Sequence, residues 1–160
     1  MTEAFLKLLE LLMPSEVPTD PKLKEIYDQL KKIEWFDLDK DQLENYDVRP
    51  AVAFPCALIK IDIPGATDMG NKVQQCMYRI RIRLGFDYTG DTSAINNIEA
   101  IMAGMEYAYI TQAVYQTLQG TILAGMGKLS RRSQVDEERG DGFKVMNLEF
   151  TMGAVDQSAA

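Results

Sequence analysis

The chain has 160 residues, a formal net charge of −7 and no histidine. A chain of this length fits one domain and buries roughly 70% of its unfolded surface, enough for a core without disulfide or metal staples. The missing imidazole excludes Ser-His-Asp and Cys-His catalytic units, histidine-ligated zinc and the usual acid–base group near neutral pH.

Two cysteines, Cys56 and Cys76, cannot build a four-cysteine zinc site or a disulfide scaffold. Both stand in apolar, strand-like runs and read as free buried thiols in a reducing compartment. No apolar run approaches the 18 or so residues of a membrane helix. Residues 1–13 carry Glu3, Lys7 and Glu10 without a basic start or a cleavage site, so no signal peptide is expected. The expectation is a soluble, cytosolic product with no membrane partner. Residues 1–50 hold 7 Lys and Arg against 12 Asp and Glu, whereas residues 51–160 hold 10 against 12. Neither part offers a strongly basic footprint for free nucleic acid.

In chain order, Phe5, Leu8, Leu9 and Leu12 follow helical spacing over 3–13, with Leu6 and Leu11 widening the apolar face. Asp20-Pro21 is a helix-start signal, an N-cap followed by proline at the first helical position. Leu23, Ile26, Tyr27, Leu30 and Ile33 then stripe a helix over 21–34. Residues 35–50 read as an irregular acidic linker. Residues 51–63 read as a strand with Ala57, Ile59, Ile61 and Ile63 on one face, and Pro55 marks an edge or a bulge. Pro64, Gly65 and Gly70 suggest a long loop over 64–72.

Residues 75–88 alternate strictly. Cys76, Tyr78, Ile80, Ile82, Leu84, Phe86 and Tyr88 are even-numbered, while Met77, Arg79, Arg81 and Arg83 are odd-numbered. Period-two alternation predicts a strand with one core face and one polar face. After a turn over 89–93, where Asp91, Thr92 or Ser93 can cap, one long helix is expected over 94–119. Its predicted stripe is Ile98, Met102, Met105, Tyr109 and Ala113, and Gly120 is its stop. Strands over 128–137 and 143–152, joined by a turn at 138–142, predict a closing hairpin. The expected fold is one α+β domain: two N-terminal helices over 1–34, the linker, and a body over 51–155. In that body an antiparallel sheet of about four strands carries one long helix across it.

Three motifs fail on their own spacing. Asp37, Asp39 and Asp41 begin like a calcium loop, but its required glycine and glutamate fall on Gln42 and Val48. Gly120, Gly125, Gly127 and Lys128 do not have phosphate-loop spacing, and Leu129 follows the lysine. Arg139-Gly140-Asp141 reads as a hairpin tip. The feature that needs an explanation is the row Arg79, Arg81 and Arg83, three guanidinium groups about 7 Å apart on one strand face. Either carboxylates on neighbouring strands face them, such as Asp62 or Glu149, or an acidic partner does, a subunit surface or a phosphate chain.

This arrangement resembles the tail-terminator and tail-completion proteins of long-tailed bacteriophages and related neck proteins. The resemblance runs from Arg49-Pro50-Ala51-Val52 through the Tyr78–Tyr88 strand, the Thr92–Gln119 helix and the Arg131–Met152 hairpin. Its most specific stretch is Arg79-Ile80-Arg81-Ile82-Arg83-Leu84-Gly85-Phe86, with Asp141-Gly142 opening the last strand. The resemblance implies a structural virion protein made in the host bacterial cytoplasm. It implies a ring, usually of six copies, that caps the tail tube and joins it to the head, with no catalysis, cofactor or metal. Arg79, Arg81 and Arg83 would then meet a neighbouring subunit or line the DNA channel, where contact with DNA is passive. Asp68, Met69, Asn71, Arg139 and Asp141 would reach tail-tube or head-connector proteins. Two other readings stay open: a small cytosolic ligand-binding module or enzyme with a deep apolar pocket, and an adaptor that binds one partner through helix 3–13.

Overall fold

A computed structural model describes residues 2–44, 52–87, 98–123 and 126–157. The elements are α1 (Thr2–Leu12), α2 (Pro21–Leu30), β1 (Trp35–Leu38), β2 (Cys56–Gly70), β3 (Val73–Asp87), α3 (Ile98–Gly104), α4 (Glu106–Leu118), β4 (Ser130–Asp136) and β5 (Phe143–Asp156). Five strands form one sheet in the order β1-β2-β3-β5-β4. All pairs are antiparallel except β1 with β2. The fold is therefore mixed, with a mostly antiparallel five-stranded sheet and four helices among the described residues.

β3 is the centre of the sheet. It pairs with β2 from Val73 to Gly85 and with β5 from Gln74 to Asp87. Its alternation is realised as expected: Cys76, Tyr78, Ile80, Ile82, Leu84 and Phe86 are all buried. They meet Ala57 and Ile59 of β2, Leu148, Phe150 and Met152 of β5, and the inner faces of α1, α2 and α4. Ile82, Leu84 and Phe150 are fully buried. Burying such side chains stabilises the fold by about 1.5–3 kcal/mol each.

Five expectations need correction. First, residues 35–38 are a strand. Trp35 to Leu38 pair in parallel with Cys56 to Ile59, so the acidic segment contributes a fifth strand. Its four residues are too few to show a period. Second, residues 64–70 are not a loop. β2 runs on to Gly70, and the connection shrinks to Asn71-Lys72, with φ of 54° and 61°. Two successive left-handed residues match the right-handed twist of a two-residue hairpin. A register shift between Asp62 and Gly65 absorbs Pro64, and Ile63 is left exposed.

Third, the long helix is two. The chain turns at Met105, with φ −95° and ψ 4°, between α3 and α4. Past that turn the buried edge is Ile110, Ala113, Val114 and Leu118, whereas Ile98, Met102, Met105 and Tyr109 face outward. The predicted residues other than Ala113 share the exposed side on both flanks of the turn, and the edge that packs inward is the neighbouring one. Fourth, Pro55 is neither in an edge strand nor at a bulge. It precedes β2, and its carbonyl accepts the Glu34 amide at 2.8 Å. Fifth, β5 extends to Asp156, beyond its expected end. The 89–93 turn with its caps, residues 94–97 and residues 45–51 lie outside the described residues.

The N-terminal helices follow their signals. Asp20 accepts the Lys22 and Leu23 amides at 2.9 and 3.0 Å, and Pro21 opens α2. α2 ends at Leu30, short of residue 34, and Leu23 of its predicted stripe is exposed. In α1, Ala4, Leu8 and Leu12 form the buried row, with Phe5, Leu9 and Leu11 half-buried beside it. Gly120, at φ +79°, stands two residues past the end of α4, where a stop was expected.

The opposite face of the sheet holds a second, smaller core at one end. Leu43, Val52, Cys56, Leu58 and Val145 are buried there beside Phe54 and Phe143, whose rings stack at 4.9 Å. Gly85 lies under this cluster: a Cβ there would fall 2.8 Å from the Cys56 sulfur and 3.3 Å from Leu43 and Phe54. Gly85→Ala is expected to lower stability by about 1–3 kcal/mol through overpacking. Adding Cys56→Ala should make the pair less harmful than the sum of the single changes. Urea denaturation of all four proteins measures that coupling, and strict additivity would contradict the contact.

Candidate functional site

The odd-numbered side of β3 places Arg79, Arg81 and Arg83 on the sheet face away from the helices. The three residues do not share one environment. Arg83 is 8% exposed. Its Nε donates to Glu137 at 2.8 Å and its Nη2 to the same carboxylate at 2.7 Å, the two-pronged geometry a guanidinium favours. Glu44 accepts a further short bond from Nη2, and Asp39 stands 3.6 Å from Nη1.

Arg139 completes this cluster from the β4–β5 connection. It donates to both Glu44 oxygens at 2.9 and 2.8 Å and to the Leu43 carbonyl at 2.9 Å. It also pairs with Asp141 inside its own turn. Two guanidinium groups thus hold four carboxylates, Asp39, Glu44, Glu137 and Asp141. They fasten the segment after β1 to the connection before β5. The small core lies beneath.

The electrostatics follow from this geometry. Burial pushes the Glu44 carboxyl up, but hydrogen bonds from Arg83 and Arg139 outweigh it, leaving Glu44 below its ordinary value. The Arg139 hydrogen bond likewise holds Asp141 down. Burial works against the Arg83 cation, yet its bonds to Glu137 and Glu44 prevail and raise it further. Burial pushes the Cys56 thiol up to about 11, so it stays protonated and unreactive at neutral pH.

Arg79 and Arg81 lie farther along β3, about a third exposed. They share one carboxylate, Asp62 of β2, at 3.3 and 3.7 Å. The Asp62 partnership was among the expected ones. Glu149, the other, stands directly across from Arg81 on β5. Lys60 pairs in register with Arg81 from the β2 side, so this end of the face is cationic and open. Asp68, Met69 and Asn71 sit at the exposed tip of the β2–β3 arm, with Met69 59% exposed. The proposed loop residues therefore divide: three project on the arm, while Arg139 and Asp141 are tied into the Arg83 cluster.

Sequence reasoning missed Glu44 and Glu137 as partners of Arg83. Their separation in the chain hides the pairing, and only the strand register brings them to Arg83. The aspartates of the failed calcium motif serve locally: Asp37 accepts from Lys40 and Gln42, and Asp39 faces Arg83. Among the described residues, no group of three or more His, Cys, Asp or Glu side chains is arranged to hold a metal ion. An open groove of about 430 Å³ lies between α1 and the β1–β2 edge, lined mainly by Phe5, Leu38, Ile59 and Ile61.

No family model matches the chain, and no curated protein matches it in sequence. Among solved structures, a chain from the virion of the native gene transfer agent particle shares the fold. The match covers 95% of this chain and 94% of that one, with a TM-score of 0.55 and 9% identity.

Arg83→Met is expected to cost about 3 kcal/mol, because it strands Glu137 and Glu44 beside a buried position. Glu44 and Asp141 titrate lower folded than unfolded. Their contribution is therefore complete above the ordinary carboxylate range and is lost as pH falls below about 4.5 through their lowered values. The stability gap between the parent and Arg83→Met should narrow over that window. A gap independent of pH in urea titrations would contradict the cluster's role.

Proposed function

We propose that this chain is a structural protein of a phage-like virion, a ring subunit at the tail end or neck. In this role it caps the tail tube, joins it to the head and acts by contact, without catalysis. The observation that carries the reading is the fold likeness to a virion chain over nearly the full length of both proteins. The surface agrees with it. Arg79 and Arg81 stand on an open sheet face and share Asp62, and the exposed end of the β2–β3 hairpin carries Asp68, Met69 and Asn71.

In this reading the ring has six copies. Arg79 and Arg81 face acidic surface on a neighbour or DNA in the channel, whereas Arg83 holds the subunit together. The arm tip meets tail-tube or head-connector proteins. Assembly places the protein in the virion after synthesis in the host cytoplasm.

Light scattering on a sizing column should give one discrete multimer at high concentration, and negative-stain micrographs should show rings. Mass spectrometry of purified tailed particles should find the chain. A strict monomer that is also absent from particles overturns the reading. Arg81→Glu should weaken assembly while moving the monomer's unfolding little, since an exposed ion pair contributes only about 0–1 kcal/mol. Unchanged assembly would remove that strand from the interface.

A further inference from the structure

β2, β3 and β5 run on together past the ends of β1 and β4. β1 covers the outer edge of β2 only from Cys56 to Ile59, and the last backbone bond there runs from the Asp39 amide to the Ile59 carbonyl at 2.9 Å. From Lys60 to Gly70, no strand among the described residues pairs with β2 on that side. Pro64 falls within the first register shift and carries no amide hydrogen, and a second shift lies between Asp68 and Gly70, so the regular open run is Ala66 to Asp68. At the far side of the sheet, β4 pairs inward with β5, and no strand among the described residues covers its outer edge. Such edges are templates for another strand.

The two edges complement each other. β2 runs opposite to β3, β3 to β5 and β5 to β4, so β4 is antiparallel to β2. A neighbour in the same orientation therefore presents β4 to β2 in the antiparallel sense, the more stable pairing. The charges also agree. Residues 60–70 carry Lys60 against Asp62 and Asp68, a net of −1, while β4 carries Arg131 and Arg132 against Asp136, a net of +1. The open run of β2 lies farther along the sheet than β4, and such stagger is what a sheet needs in order to curve shut.

We propose that β4 of a second copy of this chain adds to the outer edge of β2 beyond Ile59, making one continuous sheet from subunit to subunit. A contact between two different edges is heterologous and repeats until it closes. The inference rests on the ring reading and supplies its bonding surface.

Cross-linking tests it. Thr67→Cys and Gln134→Cys place thiols on exposed positions of the two strands, while native Cys56 and Cys76 are buried. With a short bis-maleimide, the double variant should give a ladder of covalent multimers that stops at the copy number of the ring. Each single variant should remain monomeric on a denaturing gel. Dimers from Thr67→Cys alone indicate paired β2 edges, dimers from Gln134→Cys alone indicate paired β4 edges, and either result overturns the proposal. A multimer by light scattering with no ladder also overturns it but leaves the virion reading standing. A monomer with no ladder overturns both the edge pairing and the ring. Independently, Val135→Lys puts a charge on the exposed β4 edge and should abolish the multimer without moving the monomer's melting temperature; a persisting multimer overturns the proposal.

Discussion

The structure depends on one strand being paired on both sides along its length. β3 gives its backbone to β2 and β5, which leaves its side chains two faces and no freedom of register. A slip of one residue would drive Arg79, Arg81 and Arg83 into the helix-covered core and expel Ile80, Ile82 and Leu84. The strict alternation therefore specifies position more than strength. The helices, the small second core and the arginine row all take their places from it.

The far face shows how one residue type serves two purposes according to depth. At Arg83, three carboxylates from two separate stretches of chain, Asp39 and Glu44 after β1 and Glu137 after β4, converge on one buried guanidinium. An ion pair in that setting needs nearly complete hydrogen bonding to offset desolvation, and Arg139 supplies the balancing charge. Two and four residues earlier on the same strand, the side chains keep contact with water and share a single aspartate. The transition from internal fastener to available surface thus occurs within one strand, where the small core ends.

Much of this was legible in the sequence wherever a period repeated often enough. The core face of β3, the Asp20 cap and the closing hairpin were all visible as local patterns. β1 was not, since its four residues leave too few repeats, and parallel pairing with β2 has no turn to announce it. The β2–β3 hairpin was hidden because Pro64, Gly65 and Gly70 imitate a loop, whereas they sit in a bulged strand and at a two-residue turn. The stripe through Ile98 and Met102 failed because helical spacing marks an apolar edge without saying which edge packs on the sheet. The partners of Arg83 needed tertiary register, which no short window contains.

The chain between α4 and β4 touches the end of β5 at a point where the connector has no room for a side chain. The Gly127 amide donates to the Gly153 carbonyl at 2.8 Å, and a Cβ at 127 would fall 2.5 Å from that same oxygen. The two segments are moored main chain to main chain, so any β-carbon at 127 acts as a wedge whatever its polarity. The span of β5 that runs past β4, laddered to β3 on one side, thus gains on its other side a mooring from a connector. That mooring exists only because residue 127 has no side chain.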